Sequence, residues 1–272
     1  MNILLTNDDG IDAPGIEALH AQLVGSDHHP DALGEVFTVA PLTAQSATSH
    51  GITYHSPLMT RPTTINGHPG MAVDGRPADC TKLALTNLYP QAHGRGSRPD
   101  LVVSGMNAGA NCGINVLYSG TVAAAIEAAF LGVPAIAVSL HLDRELKTDR
   151  PNPDYDFAAR VARRVIDQLI AGGLPSAHEM LSINIPATGR LEEDAEVVVC
   201  PMNTHAMIDR YDERSSPHGD RYFWASGSGL DFYGADEGTD VPLLLEGKIT
   251  VTPLSFDMTD YARMQFWNDR VQ

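Results

Sequence analysis

Asp8 and Asp9 are the residues best placed by type and spacing to do chemistry: two adjacent carboxylates that follow the apolar run Ile3-Leu4-Leu5 and precede Gly10. An apolar run that stops at Asn7-Asp8-Asp9-Gly10 reads as a buried strand feeding a turn. In open α/β sheets ligands collect outside the carboxyl ends of the strands, which favours a functional reading of the pair. Neighbours on a continuing strand face opposite sides, so the two carboxylates converge only if the chain bends, and Gly10 permits the bend. The competing reading is an acid-rich turn that caps a helix opening near Pro14.

Other segments offer oxygen atoms or amides to the same crevice. After the strand candidate Leu101-Val102-Val103 comes the glycine-punctuated stretch from Ser104-Gly105 through Met106, Asn107, Ala108, Gly109 and Ala110 to Asn111, in which Asn107 could lend a carbonyl oxygen to a hard cation. Tyr118-Ser119-Gly120-Thr121 leads into Val122-Ala123-Ala124-Ala125, setting hydroxyls and backbone amides at a helix N-terminus suited to phosphate, although Ser119 or Thr121 would serve equally as an ordinary cap. Ser46 and Ser49 lie beyond the strand predicted at 36–40, where either hydroxyl could complete a metal shell, bind phosphate or simply belong to a solvated loop. Asp8, Asp9, Ser46 and Asn107 together form an oxygen donor set that suits one divalent cation, Mg²⁺ or Mn²⁺. HExxH, Walker A and a GxGxxG after the first strand are all missing, which disfavours a zinc protease, a P-loop ATPase and a dinucleotide oxidoreductase. His28, His29, His50 and His55 read as polar loop or surface positions rather than zinc ligands.

The elements that must position these residues alternate between strand and helix. Pro14 opens a segment with Ile16, Leu19, Leu23 and Val24 at helical spacing; a strand at 36–40 and a helix at 78–88 follow. Strand 101–103, a small-residue helix at 122–131, strand 134–139, an amphipathic helix at 155–170 and strand 181–185 continue the pattern. Repeated βα units imply an α/β fold with a mostly parallel sheet and helices on both faces, filling 1–200. From about 201 the character changes: Ser215-Ser216-Pro217-His218-Gly219 and Gly227-Ser228-Gly229 break the chain, while Tyr211, Tyr222, Phe223, Trp224, Phe232 and Tyr233 supply aromatics. The 201–246 segment therefore reads as a hairpin or arm, and a hairpin alone needs something to pack on. Within 247–272, a strand at 248–253 and a terminal helix at 261–267 return to the core or to a partner subunit.

Composition bounds the partners. The 272 residues carry 18 Lys and Arg against 34 Asp and Glu, a formal charge of −16 that argues against a nucleic-acid polymer. A small anionic substrate then requires a metal, a helix N-terminus or a backbone nest to reverse the field locally. Cys80, Cys112 and Cys200 show no CxxC spacing and read as buried free thiols. Two acids arrive before any signal-peptide apolar region forms, and no long apolar stretch follows, so the expectation is a cytoplasmic protein without membrane association.

On these residues the chain resembles the SurE family of survival-protein nucleotidases. The likeness runs through Asn7-Asp8-Asp9-Gly10, Ala13-Pro14-Gly15-Ile16, Ala40-Pro41, the 46–49 segment, Pro77 with Asp79-Cys80, the stretch from Val103 to Asn111, Tyr118 to Ala125, and Thr250-Val251-Thr252-Pro253-Leu254. The resemblance implies a Rossmann-like core and a C-terminal arm that contributes to a homodimer or homotetramer. It implies metal-dependent phosphomonoester hydrolysis of nucleoside monophosphates, with Asp8, Asp9, Ser46 and Asn107 as metal ligands and Ser104, Gly105, Asn111, Ser119, Gly120 and Thr121 near substrate. Asp8 and Asn111 are the candidate catalytic groups, Asp8 either as general base or as an attacking nucleophile, although the DxD pattern expected of the latter is missing. A nucleotide- or metal-sensing protein without turnover is the competing class. Leu42-Thr43-Ala44-Gln45, Ala47, Arg76 and the 202–246 region depart from the family pattern.

Overall fold

Ile3, Leu4 and Leu5 are all fully buried, which a strand achieves only when both faces of its sheet are covered. The structure, a computed structural model, describes residues 1–143, 146, 153–226 and 229–272. Its strands are β1 (Asn2–Thr6), β2 (Glu35–Pro41), β3 (Met59–Ile65), β4 (His68–Asp74), β5 (Leu101–Ala108), β6 (Ala135–Leu140), β7 (Met180–Ile185), β8 (Val197–Val199), β9 (Arg210–Ser215), β10 (Arg221–Ser226) and β11 (Ile249–Leu254). The helices are α1 (Pro14–Val24), α2 (Pro77–Leu83), α3 (Tyr89–His93), α4 (Gly120–Phe130), α5 (Tyr155–Ile170), α6 (Asp240–Leu245) and α7 (Tyr261–Val271).

All strands but β9 and β10 form one sheet in the order β3-β4-β2-β1-β5-β6-β7-β11-β8. From β4 to β7 every neighbouring pair is parallel; β3 and β11 join antiparallel. The alternation of side chains sorts the core into two layers. Ile3, Leu5 and Val103 face α1 and α5, which contribute Ile16, Leu19, Val161 and Val165; Leu4, Val39 and Val102 face α2 and α4, which contribute Cys80, Val122 and Ala125. The alternating βα pattern and its two-sided covering are as the sequence predicts.

The differences are local. The helix predicted at 78–88 is divided: α2 passes into a π-helical turn over Ala84–Leu88 before α3 begins. The antiparallel pair β3–β4 answers to no predicted element, although Asn66 and Gly67, with φ of 48° and 77°, form the tight turn that an Asn-Gly dipeptide favours. β9 and β10 pair as the expected hairpin, with Tyr222, Phe223 and Trp224 exposed, and the Met207–Phe232 bridge ties its base. Of Gly227-Ser228-Gly229, the first two lie outside the described residues. α7 has no buried residue.

β1 lies between β2 and β5, so the chain leaves it in opposite directions on its two sides. That reversal opens a crevice at the carboxyl ends of β1 and β5. α1 closes on it tightly: a Cβ at Gly15 would stand 2.1 Å from the Met106 carbonyl oxygen.

Candidate active site

The turn after β1 is built from its own polar atoms. Asn7 Nδ2 donates to the Gly10 carbonyl at 2.7 Å, and Gly10 takes φ 102°, a conformation that suits glycine. Ile11 N donates to Pro41 O at 2.9 Å and Gln45 N to Asp8 O at 2.7 Å, which tie the turn to the segment after β2. Ala13 is the N-cap of α1 and no side chain caps it, so neither acid serves that helix as a cap.

Instead the two carboxylates face different partners. Asp8, 4% exposed, accepts a hydrogen bond through Oδ1 from the Thr121 hydroxyl in the first turn of α4. Asp9 Oδ2 accepts from Ala108 N at 2.7 Å, at the end of β5. Burial pushes the Asp8 carboxyl up to about 6 against an ordinary 3.8; the Thr121 hydroxyl works against this, and the neighbouring Asp9 charge adds to it. Burial also raises Asp9, opposed by the Ala108 amide.

A cavity of about 880 Å³ opens over Asp8, within the ~300–1,000 Å³ usual for small-molecule sites. Asp8, Ser46, Asn107, Asn111 and Ser119 line it together. Asn107 Nδ2 donates to Gly109 O at 2.7 Å, which leaves the carbonyl end of the amide for another partner. Asn111 is held by a buried network: its backbone N–H donates to Asn184 Oδ1 at 2.8 Å, its Nδ2 to Ser139 Oγ at 2.7 Å, and Asn184 Nδ2 donates back to Asn111 O at 3.2 Å. Asp240, 1% exposed, braces the same loop by accepting from Gly113 N at 2.7 Å and Asn203 N at 2.8 Å. Ser119 caps α4, its hydroxyl accepting from Val122 N at 3.0 Å.

Other predicted site residues lie outside the cavity lining, Asp9 among them, although Ala108, whose N–H it accepts from, belongs to that lining. Ser104 and Gly105 are buried in β5, where a Cβ at Gly105 would stand 2.3 Å from the Val138 carbonyl oxygen; Gly105 is therefore a point of close strand approach. Gly120 and Thr121 are buried behind Asp8, and a Cβ at Gly120 would meet the Asp8 side chain at 2.8 Å. Ser49, the alternative to Ser46, lines a second, largely apolar cavity instead. Sequence reasoning missed Asn115, His141 and Leu230, which also line the main cavity, and the Ser139–Asn184 support. The available signal was polar residues inside apolar strands, Ser139 in Ala-Ile-Ala-Val-Ser-Leu and Asn184 in Leu-Ser-Ile-Asn-Ile.

The donor set fits a hard cation. Among the described residues no Lys or Arg pairs with Asp8 or Asp9, so two neighbouring carboxylates, one of them buried, lack an opposite charge. No group of three or more His, Cys, Asp or Glu suited to a metal occurs among the described residues, so any complete shell must draw on neutral oxygens such as those of Ser46 and Asn107.

The fold and site define an α/β protein of the doubly wound type with an acidic, oxygen-rich site at its switch point. The family model described as Survival protein SurE matches residues 3–209, and the chain belongs to that family. It is 45% identical to the 5′-nucleotidase SurE of Rhodopirellula baltica, over 99% of this chain and 100% of that one. It is 41% identical to the 5′-nucleotidase SurE of Heliobacterium modesticaldum, over 99% of this chain and 91% of that one. The crystal structure of the SurE protein from Aquifex aeolicus superposes with a TM-score of 0.78 at 32% identity, covering 100% of both chains. No described helix is long and apolar enough to cross a membrane.

Proposed function

We propose that the protein is a divalent-metal-dependent phosphomonoesterase that hydrolyses nucleoside monophosphates to nucleoside and phosphate. The observation that carries the reading is Asp8, buried in the lining of a cavity of about 880 Å³ with Ser46, Asn107 and Asn111, and its chain neighbour Asp9, neither acid having a basic partner among the described residues. The resemblance to relatives named 5′-nucleotidase supplies the substrate class.

Asp8, Asp9, Ser46 and Asn107 would hold one Mg²⁺ or Mn²⁺, which when bound supplies the positive charge and Lewis acidity that phosphoryl transfer to water needs. The chain's own residues prepare that site. Thr121 hydrogen-bonds Asp8 and favours its ionised form, while Ala108 N fixes Asp9. Gly109 orients the Asn107 amide. Asn111, immobilised by Ser139 and Asn184, presents a polar edge to the substrate, and Ser119 lies at the start of α4, whose N-terminal dipole favours phosphate. Asp8, with its pKa lifted by burial, is the group nearest to a general base.

We also assign the exposed β9–β10 hairpin as the arm through which a homodimer or homotetramer assembles, and the cytoplasm as the location. Tyr222, Phe223 and Trp224 line the hairpin with apolar surface that its own chain leaves uncovered. Phosphate release from AMP or GMP, measured with added Mg²⁺ or Mn²⁺ and after exhaustive chelation, tests the activity. Release is expected only with the cation; full activity in chelator would reject the metal dependence, and no release under either condition would favour a sensor without turnover.

A further inference from the structure

We infer that His50 is a positioning residue for this centre: anchored on Glu127, it fixes the 45–51 segment so that Ser46 is presented to the paired carboxylates. The inference rests on the assignment of Ser46 to the metal site. Residues 42–58, between β2 and β3, contain no helix or strand, and Ala47 and Ser49 take φ of 55° and 52°. Left-handed backbone at non-glycine residues costs roughly 1–2 kcal/mol each, so this shape must be held from outside.

The tethers lie on both sides of Ser46. Before it, Gln45 N donates to Asp8 O at 2.7 Å; after it, Ser49 N donates to Tyr118 O at 3.1 Å. Those are backbone bonds. Side chains add three more: the Thr48 hydroxyl donates to Gln45 O at 2.9 Å, Thr53 N donates to Asp79 Oδ1 at 2.8 Å, and His50 reaches α4, its Nε2 donating to Glu127 Oε2 at 2.7 Å. Glu127 is 3% exposed and its other oxygen pairs with Lys82 Nζ at 3.0 Å. Burial alone would raise this carboxyl; His50 and Lys82 outweigh it and hold it below its ordinary value. The anchor is thus a buried carboxylate held by two partners, His50 and Lys82.

Glu127 also stands on α4, the helix whose first turn holds Asp8 through Thr121. Thr121 and Glu127 are six positions apart, a rise of about 9 Å along one rigid element. One helix therefore sets the position of the acid at one end and, through His50, that of the hydroxyl-bearing segment further down.

The test compares wild type, His50→Ala, His50→Gln, Ser46→Ala and the His50→Ala/Ser46→Ala double variant. Mn²⁺ affinity is measured by titration with the metal alone, and the unfolding midpoint is recorded beside it. His50→Ala is expected to weaken Mn²⁺ binding about 10- to 100-fold, the usual effect of losing the support behind a ligand. His50→Gln, which keeps a donor toward Glu127, should recover part of that loss. In the Ser46→Ala background, His50→Ala should add little. Unchanged Mn²⁺ affinity in His50→Ala, or an undiminished effect when Ser46 is already absent, would overturn the inference. Wild type that binds no Mn²⁺ would overturn the metal assignment beneath it, a distinct result.

Discussion

Asp8→Asn is expected to stabilise the metal-free protein while abolishing its activity. The folded carboxyl has its pKa pushed up to about 6 from an ordinary 3.8, chiefly by burial. At about 1.4 kcal/mol per pH unit, that gap corresponds to about 3 kcal/mol. The sign follows from proton binding: between pH 4 and 6 the folded chain keeps a proton that the unfolded chain has released, so stability falls as pH rises through this window and stays low above it. An asparagine of the same shape carries no charge to desolvate and can still accept from the Thr121 hydroxyl. Guanidinium unfolding in chelator, at one protein concentration and at several pH values from 4 to 7.5, should show the variant drawing ahead of wild type until the difference reaches about 3 kcal/mol near pH 7. Added Mn²⁺ should close the gap, since a ligand at a hundred times its dissociation constant stabilises by about 2.7 kcal/mol and only wild type binds it well. A variant no more stable than wild type at pH 7.5, or a difference independent of pH, would refute the reasoning.

Two further outcomes are expected. Asp9→Asn and Asn107→Ala should each remove most turnover and weaken metal binding with little change in unfolding midpoint, because both side chains are only partly buried and neither belongs to the hydrophobic core; undiminished metal affinity in both variants would sink the ligand assignment. Removing 210–226, which spares the Met207–Phe232 bridge, should give a folded protein of lower mass in solution, and an unchanged oligomer with an intact core would reject assembly through the arm.

The sequence made the turn at Asp8 and Asp9 legible because its determinants are local: an apolar run, two acids and a glycine that bends the chain within ten residues. The parallel core was legible for a similar reason, since strands covered on both faces are nearly continuous apolar runs. β3 was not. Its Met-Thr-Arg-Pro-Thr-Thr-Ile sequence has neither an apolar run nor clean alternation, because it lies at the sheet edge and buries only Ile65. The placement of β11 between β7 and β8 depends on pairing across some 70 residues from β7, which no local pattern encodes. At the candidate site, the positions of Asp8 and Asn107 at strand ends beside one cavity followed from their type and place after apolar runs. The contacts behind them did not: Thr121, expected near substrate, meets Asp8 across 113 residues and Asn184 meets Asn111 across 73, and only the fold brings such pairs together.

The two ends of the large sheet differ from its interior in a way that bears on behaviour at high concentration. β3, at one end, carries Arg61 and Pro62; β8, at the other, is only three residues long. A proline withholds a backbone donor, a charged side chain resists being covered, and a three-residue strand gives an incoming chain almost nothing to zip onto. The large sheet therefore offers a poor template for strand addition at either end, which leaves the separate β9–β10 pair, with its exposed aromatics, as the place where another chain could join by strand pairing.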